Sequence, residues 1–211
     1  GSVTTEVPGS EVATTAAARW AALPQHQRDA TLLLTAGRAM RSEANQAVQA
    51  ELKASGEIAA TGTPFTVLDR VNATREGARL MRAYRPGHVV EVRTDLPSQG
   101  LVRGDRGVVT RIDGDRVRLG MADGSEKLFR PGRLARNLDR DAVSIFASKQ
   151  VELHVGDRIR WSDNDRTRGL DNGAMARVEE VGRGRVVVSS LIDGTVHEIA
   201  SGDRMAERLD L

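Results

Sequence analysis

Apolar residues recur every third or fourth position near the start of the chain and every second position later on. The stretch "EVATTAAARWAAL" (11–23) predicts a helix, with Ser10 placed to cap it and Pro24 to end it. "TLLLTA" (31–36) is a short apolar run closed by Gly37 and predicts a buried strand. "RAMRSEANQAVQAELKASG" (38–56) sets Met40, Ala44, Ala47, Val48 and Leu52 at helical spacing, with Gly56 as the stop. A buried strand feeding an amphipathic helix is half of a βαβ unit. "PFTVLDRV" (64–71) predicts another strand. "TREGARLMRAY" (74–84) predicts a helix capped by Thr74, with Glu76 in its first turn and Pro86-Gly87 at its end.

Beyond Pro86 the helical period vanishes and a repeat takes its place. At an offset of 69 residues Gly87 meets Gly156, Val90 meets Ile159 and Val92 meets Trp161. At the same offset Gly100 meets Gly169, Leu101 meets Leu170 and Gly104 meets Gly173. One inserted residue later, Asp123-Gly124 meets Asp193-Gly194. Each copy reads strand, long loop, strand, short turn, strand, Asp-Gly turn, strand, which are hairpin signals at small-barrel spacing. The expected fold is therefore α+β: N-terminal helices with a strand–helix unit, then two small SH3-like or OB-like β modules at 86–150 and 151–211. Residues 1–10 are expected to be a tag and linker, Gly1-Ser2 matching the remnant of a cleaved tag.

Composition narrows the chemistry. The chain of 211 residues has no cysteine, which excludes disulfides, thiolate nucleophiles and thiolate zinc sites. No apolar run approaches the ~18 residues of a membrane span, so no membrane insertion is expected, and no signal peptide is recognisable. Net charge is only +2, but residues 75–150 carry 16 basic against 10 acidic side chains. Nearly all the basic residues are arginine, whose planar fork suits phosphate and base contacts, although a GC-rich genome explains the bias equally well. The four histidines show no metal-ligand spacing, and no catalytic triad, paired carboxylates or phosphate-cradling loop appears. The chain is thus not expected to be an enzyme by itself or to hold a cofactor or metal.

Two stretches are candidates for nucleic-acid contact. In "VGDRIRWSDNDRTRGLDNG" (155–173), strand alternation puts Arg158 and Arg160 outward and Trp161 on the face of Ile159. Trp161 then reads as a core or rim residue, or else as a stacking platform for a base. The loop after it offers Asn164, Arg166, Arg168 and Asn172, either as a solvated network of ion pairs or as a surface for a phosphate backbone. In the first module Arg116 and Arg118 share a face opposite Val117 and Leu119, and with "FRPGRLAR" (129–136) they form a solvated face or a phosphate-binding stripe.

These residues also carry a family resemblance. "TLLLTAGRAMRSEANQAVQAEL" resembles the strand–helix of helicase motif IV in conjugative relaxase–helicases of the TraI/TrwC type. "YRPGHVVEV" resembles their entry into a small β module, and "VGDRIRWSDNDRTRGLDNG" resembles the segment before helicase motif V, which RecD-like helicases share. The resemblance implies an internal fragment: residues 11–85 as part of a RecA-like (2A) domain, and the two β modules as an SH3-like 2B insert. It implies single-stranded DNA as one partner, with the coupling protein of a type IV secretion system as another, reading a translocation signal. The remaining helicase and relaxase domains of the parent would complete the list. It further implies a parent that nicks DNA and unwinds it with ATP and magnesium, works in the donor cytoplasm and is exported to the recipient cell. By position, Arg41 and Asn45 match the arginine and asparagine of the motif IV helix and would lie near nucleotide in the assembled parent. The plainer reading is a tandem structural or protein-interaction module without DNA affinity.

Overall fold

The computed structural model describes residues 11–135, 141–182 and 184–211. The expected linker at 1–10, the Ser10 cap and Arg136 of the basic stripe lie outside these residues. In chain order the elements are α1 (Val12–Ala21), α2 (Gln25–Asp29), α3 (Arg38–Ala54), β1 (Thr63–Arg70) and α4 (Arg75–Ala78). Then follow β2 (Val89–Val92), β3 (Arg106–Asp113), β4 (Arg116–Met121), β5 (Glu126–Phe129) and β6 (Val143–Leu153). The chain closes with β7 (Arg158–Trp161), β8 (Met175–Gly182), β9 (Arg185–Ser190), β10 (Val196–Ala200) and β11 (Leu209–Asp210). The fold is α+β with two antiparallel sheets. No helix among the described residues is long and apolar enough to cross a membrane.

Two compact units emerge. One is Thr66–Val151; the other joins the described residues up to Phe65 with Glu152–Leu211. The first unit holds most of a sheet ordered β1-β6-β2-β3-β4-β5. Its core gathers Tyr84, Val90, Val92, Leu101, Val109, Val117, Leu119, Phe129 and Ile145. Tyr84 meets Phe129 edge to face at 5.6 Å and donates its hydroxyl to Ala78 O at 2.6 Å, so the buried phenol keeps a partner. Burial raises its pKa. The predicted helix at 74–84 shortens to one turn. Thr74 Oγ1 accepts from Gly77 N as expected, but a 3-10 turn over Met81–Ala83 replaces the rest.

The second unit packs α1 against α3 through small residues: Ala13, Ala17 and Ala44 are buried. Gly56 ends α3 as predicted, at φ +74, with Gly56 N donating to Lys53 O and Glu57 N to Leu52 O. This is the paired bonding of a Schellman stop. The sheet runs β10-β9-β8-β7-β11, and Leu153, Ile159, Trp161, Val178, Val186, Val188, Ile199 and Met205 are buried in its core.

One expectation is overturned. Residues 31–36 form no strand, and Leu32 and Leu34 are 84% and 85% exposed. An apolar run becomes a strand only where a neighbour supplies hydrogen bonds, and no described strand pairs with this one. The expected strand–helix half of a βαβ unit is therefore a coil followed by a helix. Each sheet is also open: no pairing joins its two edge strands, so neither is a hydrogen-bonded closed barrel among the described residues.

The repeat is visible atom by atom. Strands β2, β3 and β4 begin 69 residues before β7, β8 and β9. In each unit the register shifts at the same place, between Val109 and Arg111 and between Val178 and Glu180. Gly87 N donates to Val109 O as Gly156 N does to Val178 O, each at 2.8 Å. The bridge Leu96–Leu101 recurs as Asp165–Leu170. A shared bulge and shared loop bonds at one offset support the duplication read from the sequence. The inserted residue falls in the turn between β9 and β10.

Candidate nucleic-acid interface

On β7 and β8 the inward positions are Ile159, Trp161, Ala176 and Val178, and the outward positions carry the charge. Arg158 lies directly opposite Arg177, and Arg160 opposite Met175. Two like charges facing each other across a pair of strands are unfavourable unless counter-charges relieve them. Asp29 supplies one, accepting from Arg158 Nη2 at 2.6 Å. Arg160 Nη2 donates to Asp210 Oδ2 at 2.7 Å. Arg177 is exposed and makes no ion pair among the described residues. The strand alternation marked Arg158 and Arg160 but missed Arg177; the hairpin register was the signal that pointed to it.

Trp161 is 1% exposed and sits opposite Leu209 of β11. The stacking alternative is corrected by this burial: a ring sealed in the core has no open face for a base. Its backbone bonds Ala174 and Gly173, so the residue also fixes the start of the loop.

The charged loop is largely neutralised by Asp165 within it and by Asp203 and Arg204 from the turn before β11. Arg168 Nε donates to Asp165 Oδ2 at 2.7 Å, and its two terminal nitrogens reach both oxygens of Asp203 at 2.6 and 2.9 Å. Arg204 donates to Asp163 Oδ2 at 2.8 Å and to Asn164 O at 3.0 Å. Asn164 Oδ1 accepts from Asn172 N at 2.8 Å, closing the loop on itself. Arg168 is thus a brace rather than a free cation, whereas Arg166 is exposed and makes no ion pair among the described residues. In the first unit Arg118 is similarly committed, to Asp113 at 2.9 Å and Glu126 at 3.1 Å. Arg116 is half exposed, with Asp115 at 3.6 Å.

Arg41 and Arg160 converge on one carboxylate: Asp210 Oδ2 lies 3.7 Å from Arg41 and 2.7 Å from Arg160. Asn45 Nδ2 donates to Leu211 O. The structure therefore brings the two residues assigned near nucleotide together with an arginine of the charged face, which no sequence spacing announced.

The loop's carboxylates have a pH signature. The Thr167 hydroxyl, then Arg168, hold Asp165 down at about 2, and Arg168 lowers Asp203. Groups whose folded pKa lies below their unfolded value stabilise the fold above the unfolded pKa and cease to do so as pH falls through the folded one. Urea stability of this unit should therefore hold down to about pH 4 and decline between about 4 and 2, and Arg168→Ala should flatten that decline. Unfolding followed by tryptophan fluorescence reads this unit alone, since both tryptophans, Trp20 and Trp161, belong to it.

Residues 67–153 match the family model of the DNA relaxase TraI 2B/2B-like domain. No curated protein matches the chain. Among solved structures, 51% of the chain aligns with 26% of a chain from a study of DNA unwinding at forked duplex by two coordinating Pif1 helicases, at 14% identity and a TM-score of 0.24. Bacteroides sp Pif1 in complex with ADP-AlF4 aligns over 51% of this chain and 27% of its own, at 14% identity and a TM-score of 0.21. The chain spans about a quarter of the length of these helicases, and superpositions this loose carry no functional weight.

Proposed function

We propose that the chain, whose residues 67–153 match the DNA relaxase TraI 2B/2B-like domain, is an internal domain of a conjugative relaxase–helicase. Its contribution is twofold: contact with single-stranded DNA, and a translocation signal for the coupling protein of a type IV secretion system. The family match is the observation that carries this reading. The duplicated module supports it by extending one domain design to residues 154–211, beyond the matched segment. We read each module as an SH3-like unit, on the strength of its strand order and its shared bulge and loop.

The DNA-contacting face in this reading is the outer side of β7 and β8 with the loop that follows. Arg166 and Arg177 supply free guanidinium groups there. Arg158 exchanges its exposed partner Asp29 for a phosphate, an exchange favoured because surface pairs of this kind contribute only ~0–1 kcal/mol, while Arg160 gives up the half-buried Asp210. Asn164 and Asn172 hold the loop, and Arg168 braces it. On the first module Arg116 is the more available residue and Arg118 the less.

ATP and magnesium belong to the parent in this reading. The chain has no phosphate-cradling glycine loop, and Arg41 is engaged with Asp210. Nicking and unwinding are accordingly assigned to the remaining relaxase and helicase domains.

The same ion pairs favour a second reading, a protein-interaction module without DNA affinity, because three of the four arginines of residues 155–173, Arg158, Arg160 and Arg168, are already paired. Salt-dependent binding of labelled single-stranded DNA separates the two. The export role has its own test. Residues 3–211 fused to a recombinase reporter should be transferred from conjugative donors to recipients, and a fusion that stays in the donor would overturn it.

A further inference from the structure

The second unit contains a cavity of about 350 Å³ between α3, the turn after it and the β7–β8 hairpin. That volume falls within the ~300–1,000 Å³ of small-ligand sites. Trp20, Val48, Leu52 and Ile58 give it apolar walls. Most of its charges cancel locally. Arg28, buried beneath the Trp20 ring at 5.6 Å, is held by both oxygens of Glu57, at 2.9 and 2.5 Å. Arg158 is paired with Asp29.

Two lining groups remain uncancelled. Asp157 is 3% exposed, and its Oδ2 accepts from His154 N and Gln49 Nε2, both at 2.8 Å. Its Oδ1 accepts from no described residue. Burial raises the pKa of this carboxyl, the cost of a carboxylate that lacks a full set of donors. Arg177 is the other, an exposed guanidinium with no counter-ion among the described residues. A ligand suited to this lining carries an N–H donor, a flat or apolar body and an anion.

We propose that this cavity binds a nucleoside monophosphate whose base bears an exocyclic amine, with the amine on Asp157 Oδ1 and the phosphate on Arg177. Carboxylates accept well from the amino group of cytosine, and the arginine fork matches phosphate. Thymine is disfavoured because its one ring N–H lies between two carbonyl oxygens that the carboxylate repels. A free nucleotide and a nucleotide within a single strand share this chemistry. The site shares Arg177 with the face proposed to contact DNA, and Asp157, which that face does not use, sets it apart.

The test titrates dCMP, dTMP and short oligomers of each into the full chain, following the Trp20 indole N–H by NMR. Binding of dCMP at least about tenfold tighter than dTMP supports the site and identifies a free nucleotide as a sufficient ligand. A shift with the cytidine oligomer but not with dCMP supports the site with a strand as its source. Arg177→Ala should weaken either by roughly tenfold or more, while Arg82→Ala, the same charge loss in the other unit, leaves it unchanged. Asp157→Asn should erase the preference for cytosine over thymine. Equal affinity for dCMP and dTMP, or no movement of the indole with any probe, would overturn the proposal. A signal lost equally in the Arg82 variant would overturn it too.

Discussion

Replacing Trp161 with alanine should destabilise the second unit by about 3–5 kcal/mol, the range for truncating a large buried aromatic. The ring is 1% exposed on the inward face of β7, where Leu209 closes the sheet edge over it. Deleting it leaves a void in the core of this unit that the remaining side chains can fill only in part. Urea unfolding followed by far-ultraviolet circular dichroism measures the loss without depending on the missing indole. Trp161→Phe, which keeps most of the volume, should cost far less. The pair of variants also separates the two roles that the sequence left open. A stacking platform would lose DNA affinity in the alanine variant while keeping stability, whereas a core residue loses stability and leaves the binding of the surviving folded protein unchanged.

The glycines that open the two modules provide a matched comparison. Gly87 and Gly156 hold the same bond to the bulged strand and the same left-handed backbone, at φ +86 and +98. Around Gly87 there is nothing within 4 Å of where a Cβ would sit; at Gly156 that atom would lie 2.9 Å from Glu57 O and 3.2 Å from Ile58 Cα. Gly87→Ala should therefore cost about 1–2 kcal/mol in its own unit, from backbone strain alone. Gly156→Ala should cost a further 1–3 kcal/mol or so, because its neighbours are backbone atoms that cannot rotate away. Hydrogen exchange reads each unit separately, and equal losses would contradict the contact argument.

Much of this was legible beforehand wherever a local rule and the tertiary structure agree. The Gly56 stop, the Thr74 cap and the Asp-Gly turns are set by short-range geometry, and the structure keeps all of them. The duplication was legible because bulges and loop bonds depend on glycines at fixed positions, and those survive as letters. The run at 31–36 misled because strand formation depends on a partner, which no composition reveals. β6 went unforeseen for a related reason: its first half reads as a buried strand, but its continuation through Ser148-Lys149-Gln150 is polar, and only pairing with β2 and β1 makes it one element. At the candidate interface, alternation sorted inward from outward residues. It did not tell a braced arginine from a free one. Arg168 and Arg166 are two residues apart in the same loop, yet Asp203, 35 residues away, engages one and not the other. Arg177 and the cavity arise from register and packing between distant segments, information that a linear reading does not contain.

Contact between the charged face of the second module and single-stranded DNA is the proposal on which the function rests. The most direct measurement is fluorescence anisotropy of a labelled single strand with the full chain at about 50 and 200 mM salt, repeated with Arg166→Ala. Binding should weaken steeply with salt, with a log–log slope shallower by roughly 0.7–1 in the variant, as expected for the loss of one phosphate contact. Absence of binding at both salt concentrations, or an identical slope in the variant, would contradict it.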